Sequence, residues 1–124
     1  MIDFKNGSVF KLTKLKQPDH ADTVQPILVN GENIISEYIA VRDYVIFTNK
    51  RIISVNVQGI TGKKKDFTSL PYSKIQAFSI ETAGVLDLDA ELELYFSGMG
   101  KVKFAFSGSN DIAAIGKYIS DMIL

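Results

Sequence analysis

Two apolar, largely β-branched runs, Tyr44-Val-Ile-Phe-Thr48 and Arg51-Ile-Ile-Ser-Val-Asn-Val57, flank the dipeptide Asn49-Lys50. Asn tolerates positive φ, and Val, Ile, Tyr and Phe fit a pleated surface better than a helix. The pattern predicts a long β-hairpin with a two-residue turn. That turn pairs Phe47 with Ile52, Ile46 with Ile53, Val45 with Ser54 and Tyr44 with Val55. One face then carries Tyr44, Ile46, Ile53 and Val55, and the other carries Val45, Phe47, Ile52 and Ser54. Both faces are apolar, whereas a half-solvated antiparallel sheet shows one polar face. Both sides of this hairpin are therefore expected to be covered. One cover is the domain's own core; the other is a helix, the N-terminal segment or a second copy of the chain.

The remaining pattern orders the chain around this hairpin. Val9, Leu12 and Leu15 recur at helical spacing, so a short helix is expected within Met1–Lys16. Residues 17–22 read as a loop or a single turn, and Pro18 and Pro26 exclude a long helix. Ile27–Val29 is a short buried stretch before the Asn30-Gly31 turn. Strands are expected over Glu32–Arg42, across the hairpin, from Lys63 to Leu70 before Pro71, and over Lys74–Thr82, with turns around Arg42-Asp43 and Gln58–Gly62. Ala90–Phe96 and Lys101–Phe106 alternate cleanly, with Ala90, Leu92, Leu94, Phe96, Val102, Phe104 and Phe106 inward. Facing residues share a side, so only an odd-length loop matches the two inward sets. A loop of Ser97–Met99 sets Glu93 opposite Lys103 and Leu94 opposite Val102. Residues 109–124 form the clearest helix: Ser109 or Asn110 caps it, Asp111 suits its positive end, and Ile112, Ile115, Ile119, Met122 and Ile123 make its apolar stripe. Gly116 inside that helix points to a close approach to the sheet.

The expected fold is one α+β, mainly β domain over residues 1–124: an N-terminal extension (1–31), strands (32–107) and a C-terminal helix (109–124). About seven strands in meander order form a strongly bent antiparallel sheet or open barrel, and the helix covers its open end.

Tyr44-Val-Ile-Phe-Thr-Asn-Lys-Arg-Ile-Ile-Ser-Val55, then Lys65-Asp66-Phe67 and Leu70-Pro-Tyr-Ser-Lys-Ile75, resemble the hairpin and following strand of bacterial pleckstrin-homology-like domains. The similarity spans roughly Glu32 to Leu124. It implies the pleckstrin-homology superfold and a non-enzymatic role. Several such domains form homo-oligomeric rings. Eukaryotic relatives bind phosphoinositide head groups through Lys and Arg between their first two strands. Here that loop is only Val41-Arg42-Asp43, with one Arg beside an Asp.

Composition narrows the chemistry. With 14 basic and 14 acidic side chains the formal charge is zero, without the basic excess of a nucleic-acid binder. Near-zero charge also offers little electrostatic resistance to self-association. There is no Cys, hence no disulfide and no thiolate metal site. No apolar run approaches the roughly 20 residues of a membrane span. A soluble, cytoplasmic protein is expected.

No catalytic, cofactor-binding or metal-ligating set emerges. Gly59-Ile-Thr-Gly62-Lys63 has two residues between its glycines where a phosphate-binding loop has four, and a strand pattern follows, so it reads as a strand connection. His20 is the single histidine and has no triad partner in the pattern. Asp87, Asp89, Glu91 and Glu93 form an acidic strand face, solvated or turned towards a neighbouring subunit. The leading expectation is a non-catalytic interaction module, associating with itself through Val45, Phe47 and Ile52. The alternative is a membrane-surface or anionic-ligand module using Arg42, Lys63, Lys64 and Lys65.

Overall fold

The computed structural model describes residues 1–6, 8–17, 19–86, 88–107 and 112–124, with backbone alone for 8 and 9. Eight strands are β1 (Ser8–Lys14), β2 (Ile34–Ala40), β3 (Asp43–Thr48), β4 (Arg51–Gln58), β5 (Lys64–Pro71), β6 (Ala77–Glu81), β7 (Ala90–Phe96) and β8 (Gly100–Phe106). Helix α1 (Ala21–Val24) runs into a 3-10 turn over Gln25–Ile27, a second 3-10 turn spans Tyr72–Lys74, and α2 (Ile112–Ile123) closes the order. The strands form one curled sheet in the order β5-β4-β3-β2-β1-β8-β7-β6.

The hairpin register is the expected one, with Tyr44 opposite Val55 and Phe47 opposite Ile52. The odd-loop argument also holds: Glu93 faces Lys103 and Leu94 faces Val102. The inward set of β7 and β8 is buried throughout. On α2, Ile112, Ile115 and Ile119 are buried, but Met122 is exposed. A Cβ on Gly116 would fall 1.9 Å from Ile80 Cδ1, which is the close approach its glycine implied. The expected caps Ser109, Asn110 and Asp111 lie outside the described residues.

Three expectations are corrected. The N-terminal helix is instead strand β1. Phe10 and Leu12 supply an alternation that the helical spacing of Val9, Leu12 and Leu15 obscured. Leu12 is buried, and Phe10 lies 5.5 Å from Phe104 between ring centroids. The ladder that wins is tertiary: β1 runs parallel to β8 with Phe10 opposite Phe104, and antiparallel to β2 with Lys14 opposite Tyr38. The strand count is therefore eight rather than seven. Strand β6 starts at Ala77 rather than Lys74, because the chain first turns at Tyr72–Lys74.

The third correction concerns Val45, Phe47 and Ile52. They are 1%, 2% and 0% exposed, inside the main core with Tyr38, Leu70, Phe104 and Phe106. The opposite face of the hairpin, Tyr44, Ile46, Ile53 and Val55, is covered by Val24 and Leu28 from residues 19–29. Of the three covers the pattern allowed, the N-terminal segment is the one used. No second copy is needed, and the proposed self-association face is internal.

Two buried carboxylates hold this N-terminal strap. Glu37 on β2 accepts from the Asp19 and His20 amides at 3.0 and 3.2 Å and meets the His20 ring nitrogen Nδ1. That ring stacks on Tyr44 at 3.9 Å. Glu32 accepts from the Val29 amide at 3.0 Å, Thr48 Oγ1 at 2.7 Å, and Arg51 Nε and Nη2 at 2.9 Å each. Arg51 also donates to the Ile27 carbonyl and to Ser69 Oγ. Burial pushes the Glu32 carboxyl up, but Arg51, the Val29 amide and Thr48 together hold it below its ordinary value of 4.5.

The depressed Glu32 value gives stability that is complete above the ordinary carboxylate range and lost as pH falls through the folded value. Glu32→Gln is expected to cost about 3 kcal/mol at neutral pH. It should also flatten the loss of stability on acidification. Denaturant unfolding across a pH series checks this; an unchanged acid slope contradicts it. Gly100 is a second weak point. Its φ is +129°, and a Cβ there would sit 2.3 Å from the Phe4 carbonyl oxygen. Gly100→Ala should cost about 3 kcal/mol. Gly98→Ala, with positive φ but open space around it, should cost about 1 kcal/mol.

Candidate functional site

Antiparallel order carries the β2–β3 turn and the β4–β5 loop to the same end of the sheet. The turn is two residues, Val41 and Arg42, closed by the Ala40–Asp43 pair and starting one residue earlier than its sequence signal. Val41 has φ +57°, a left-handed conformation that suits glycine and strains a β-branched residue. Its side chain is fully exposed. In the β4–β5 loop, Gly59 and Gly62 both have positive φ, and Ile60 between them is also fully exposed.

Asp43 joins the two loops at their base. Its carboxylate accepts from the Val57 amide at 2.8 Å and from Asn56 Nδ2 at 3.1 Å. Lys65 donates to the Gly62 carbonyl at 3.0 Å, folding the loop onto its own strand. Of the four candidate cations, Arg42, Lys63 and Lys64 are exposed and Lys65 is half-buried. None forms an ion pair with another described residue. The structure thus gathers all four at one end, with Lys65 also bracing the loop.

Beneath the loops the inner wall of β4 and β5 turns from apolar to polar. A cavity of about 270 Å³ there is lined by Met1–Asp3, Phe10, Ser54, Asn56, Gln58, Asp66 and Thr68. The Met1 amino group lies 2.8 Å from Asp66, and the Ile2 amide donates to Thr68 Oγ1 at 3.1 Å. The hydrogen bond from that amino group holds the Asp66 carboxyl below its ordinary range. The cavity is acidic; the rim above it is basic.

The other candidates are accounted for within the fold. Gly59–Lys63 leads into strand β5, not a helix. His20 serves the Glu37 contact. Glu91 and Glu93 meet Lys103 at 3.3 and 3.7 Å, and Glu93 meets Lys101 at 3.5 Å, so β8 balances the acidic face of β7. Asp87 lies outside the described residues. Sequence reasoning missed Val41 and Ile60. The available signal was an isolated β-branched residue at each turn, next to cations.

A bacterial PH domain family model matches residues 3–123. The chain belongs to the bacterial PH domain family. Among the relatives of this bacterial PH domain is the uncharacterised protein YjqA of Bacillus subtilis (strain 168), 53% identical over 97 residues, 78% of each chain. Among solved structures, a DUF1696 family protein with a pleckstrin-homology domain from Shewanella loihica PV-4 shares 35% identity at TM-score 0.77, over 93% of this chain and 99% of that one. A pleckstrin homology domain from Shewanella amazonensis SB2B shares 40% identity at TM-score 0.63, over 84% and 85%. PH domains are generally non-catalytic, in keeping with these relatives. No described helix of this PH domain is long and apolar enough to cross a membrane.

Val41→Gly removes the strained β-branched residue from the turn. The unfolded chain gains entropy, which offsets part of the relief. A net stabilisation of about 1 kcal/mol is expected in urea unfolding. A destabilised variant would show that the Val41 side chain holds the turn.

Proposed function

We propose that the chain is a non-catalytic docking module that presents its β2–β3 and β4–β5 loops to an anionic surface. The gathering at one end of the sheet of four cations without ion-pair partners among the described residues carries this reading. Net charge is zero, so attraction is local, set by Arg42, Lys63, Lys64 and Lys65. Each cation near an anionic membrane contributes about 1 kcal/mol. The acidic cavity below disfavours drawing an anion inward, so contact is made at the rim.

A second reading, self-association, no longer draws on Val45, Phe47 and Ile52. It draws on the β6–β7 connection, where Val85, Leu86 and Leu88 are exposed, and on the two sheet edges at β5 and β6. Sedimentation velocity tests it directly, and a strict monomer at tens of micromolar removes it.

For docking, the test is co-sedimentation with phosphatidylcholine vesicles with and without phosphatidylserine. Binding should require the acidic lipid and weaken with salt. Lys63→Gln with Lys64→Gln should weaken it about 30-fold, or about 2 kcal/mol. Equal pelleting with neutral vesicles, or none with acidic ones, overturns the reading.

A further inference from the structure

We infer that residues 19–29 are a displaceable lid, and that the hairpin face beneath them is a second docking surface, open to a protein segment that reproduces the strap's own chemistry. This surface is the outer side of β3 and β4. It does not rest on the docking reading at the loop end.

The strap is built apart from the barrel. Val24 and Leu28 close a cluster with Tyr44, Ile46, Ile53 and Val55 that is separate from the main core, so lifting the strap leaves that core shut. The strap belongs to no ladder of the sheet. Its helical bonds stay within it: the Thr23 amide donates to the His20 carbonyl, Gln25 to Ala21 and Leu28 to Gln25. Lifting it therefore breaks no strand pairing. Beyond Val29 the chain runs through Asn30 and Gly31, both exposed. Gly31 has φ +77°, and a Cβ placed there would meet nothing within 4 Å, so this pair can absorb a hinge rotation.

The two carboxylates under the strap play different parts. When the strap lifts, Glu32 loses the Val29 amide but keeps Arg51 and Thr48. Glu37 is 1% exposed, and among the described residues its side-chain partners all come from the strap: the Asp19 and His20 amides and the His20 ring. A buried carboxylate served only by the strap needs donors from whatever covers it. Glu37 is thus the latch, and residues 30 and 31 are the hinge.

The strap also shows what fits the face. It is a short helical segment with two aliphatic side chains four residues apart, Val24 and Leu28. It enters with two backbone N–H groups and an imidazole on Glu37, and leaves with the Ile27 carbonyl on Arg51. An acceptor at one end and a donor at the other fix the direction of the segment. A soluble anion would meet an apolar floor and a carboxylate, so the partner is a protein segment that competes with the strap. The open state is the minor one, and the partner's apparent affinity falls by its fraction.

Two measurements test this. In the native chain, hydrogen exchange at the Thr23 and Leu28 amides should report an opening at least about ten-fold more frequent than that of the β3–β4 amides. The second uses a fluorescent synthetic peptide of residues 17–31 and a chain carrying Val24→Ser with Leu28→Ser. Those substitutions unpin the strap and leave the hairpin face, Glu37 and Arg51 intact. Peptide anisotropy should rise saturably with that chain and at least about ten-fold more weakly with the native one. A peptide carrying the same two serines should not bind. Strap amides that open only together with the β3–β4 amides overturn the lid, as does a doubly substituted chain that circular dichroism shows to be unfolded. A folded variant that fails to capture the peptide overturns the docking surface, and equal capture by both chains overturns it likewise, because the peptide then binds without competing with the strap.

Discussion

The structure depends on a hairpin that cannot be wet on either face. Its inner side belongs to the main core, with Val45, Phe47 and Ile52 against Tyr38, Leu70, Phe104 and Phe106. Its outer side needs a lid, and residues 19–29 are that lid. Covering Tyr44, Ile46, Ile53 and Val55 with Val24 and Leu28 is worth about 12 kcal/mol at about 2 kcal/mol per side chain. Ordering the strap costs about 11 kcal/mol at about 1 kcal/mol per residue. The two nearly cancel, so the hydrogen bonds between charged side chains and the backbone at its ends decide whether it stays down. Glu37 receives Asp19 and His20 at one end, and Glu32 with Arg51 receives Val29 and Ile27 at the other.

Those carboxylates explain the limits of reading this fold from sequence. The hairpin register was legible because a two-residue turn and period-two patterning leave one pairing. The β7–β8 register was legible by parity alone. That both hairpin faces were covered was also legible; what covered the outer one was not. Val24 sits among polar residues before Pro26 and Leu28 within the apolar run Ile27–Val29, whose flanking Ile27 and Val29 are exposed, so nothing local marks the pair as a lid. Glu37 lies in an alternating strand, where a charged residue reads as solvent-facing. Its burial follows only from the strap folding back. Strand β1 was misread for the same reason. Its parallel partner β8 is some ninety residues away, so the deciding hydrogen bonds are invisible to local periodicity.

The candidate site was half legible. Arg42 and Lys63–Lys65 stand out in the sequence, but only antiparallel order puts them at one end. The apolar tips have only a faint sequence signature, an isolated β-branched residue in each turn, because Val and Ile are ordinary strand residues and their neighbours are strands. Only the dihedral angle at Val41 and the exposure of Ile60 set them apart.

The two ends of the barrel are treated differently, and that asymmetry places the site. At the hairpin end, Tyr72 and Tyr118 both donate to the Thr48 carbonyl, at 2.6 and 3.3 Å, so α2 and the Tyr72 turn close that end. At the other end none of the described helices arrives, and the wall becomes polar at Ser54, Asn56, Gln58 and Thr68. A barrel open to water at one end must line that end with groups water can satisfy. The loops there are released from packing the core, and their side chains are free to serve contact with something outside the chain. They are still not slack. Asp43 ties one loop to the strand that feeds the other, and that strand belongs to the doubly covered hairpin. The hairpin covered on both faces therefore carries fully exposed residues at this end, which is the arrangement a docking surface requires.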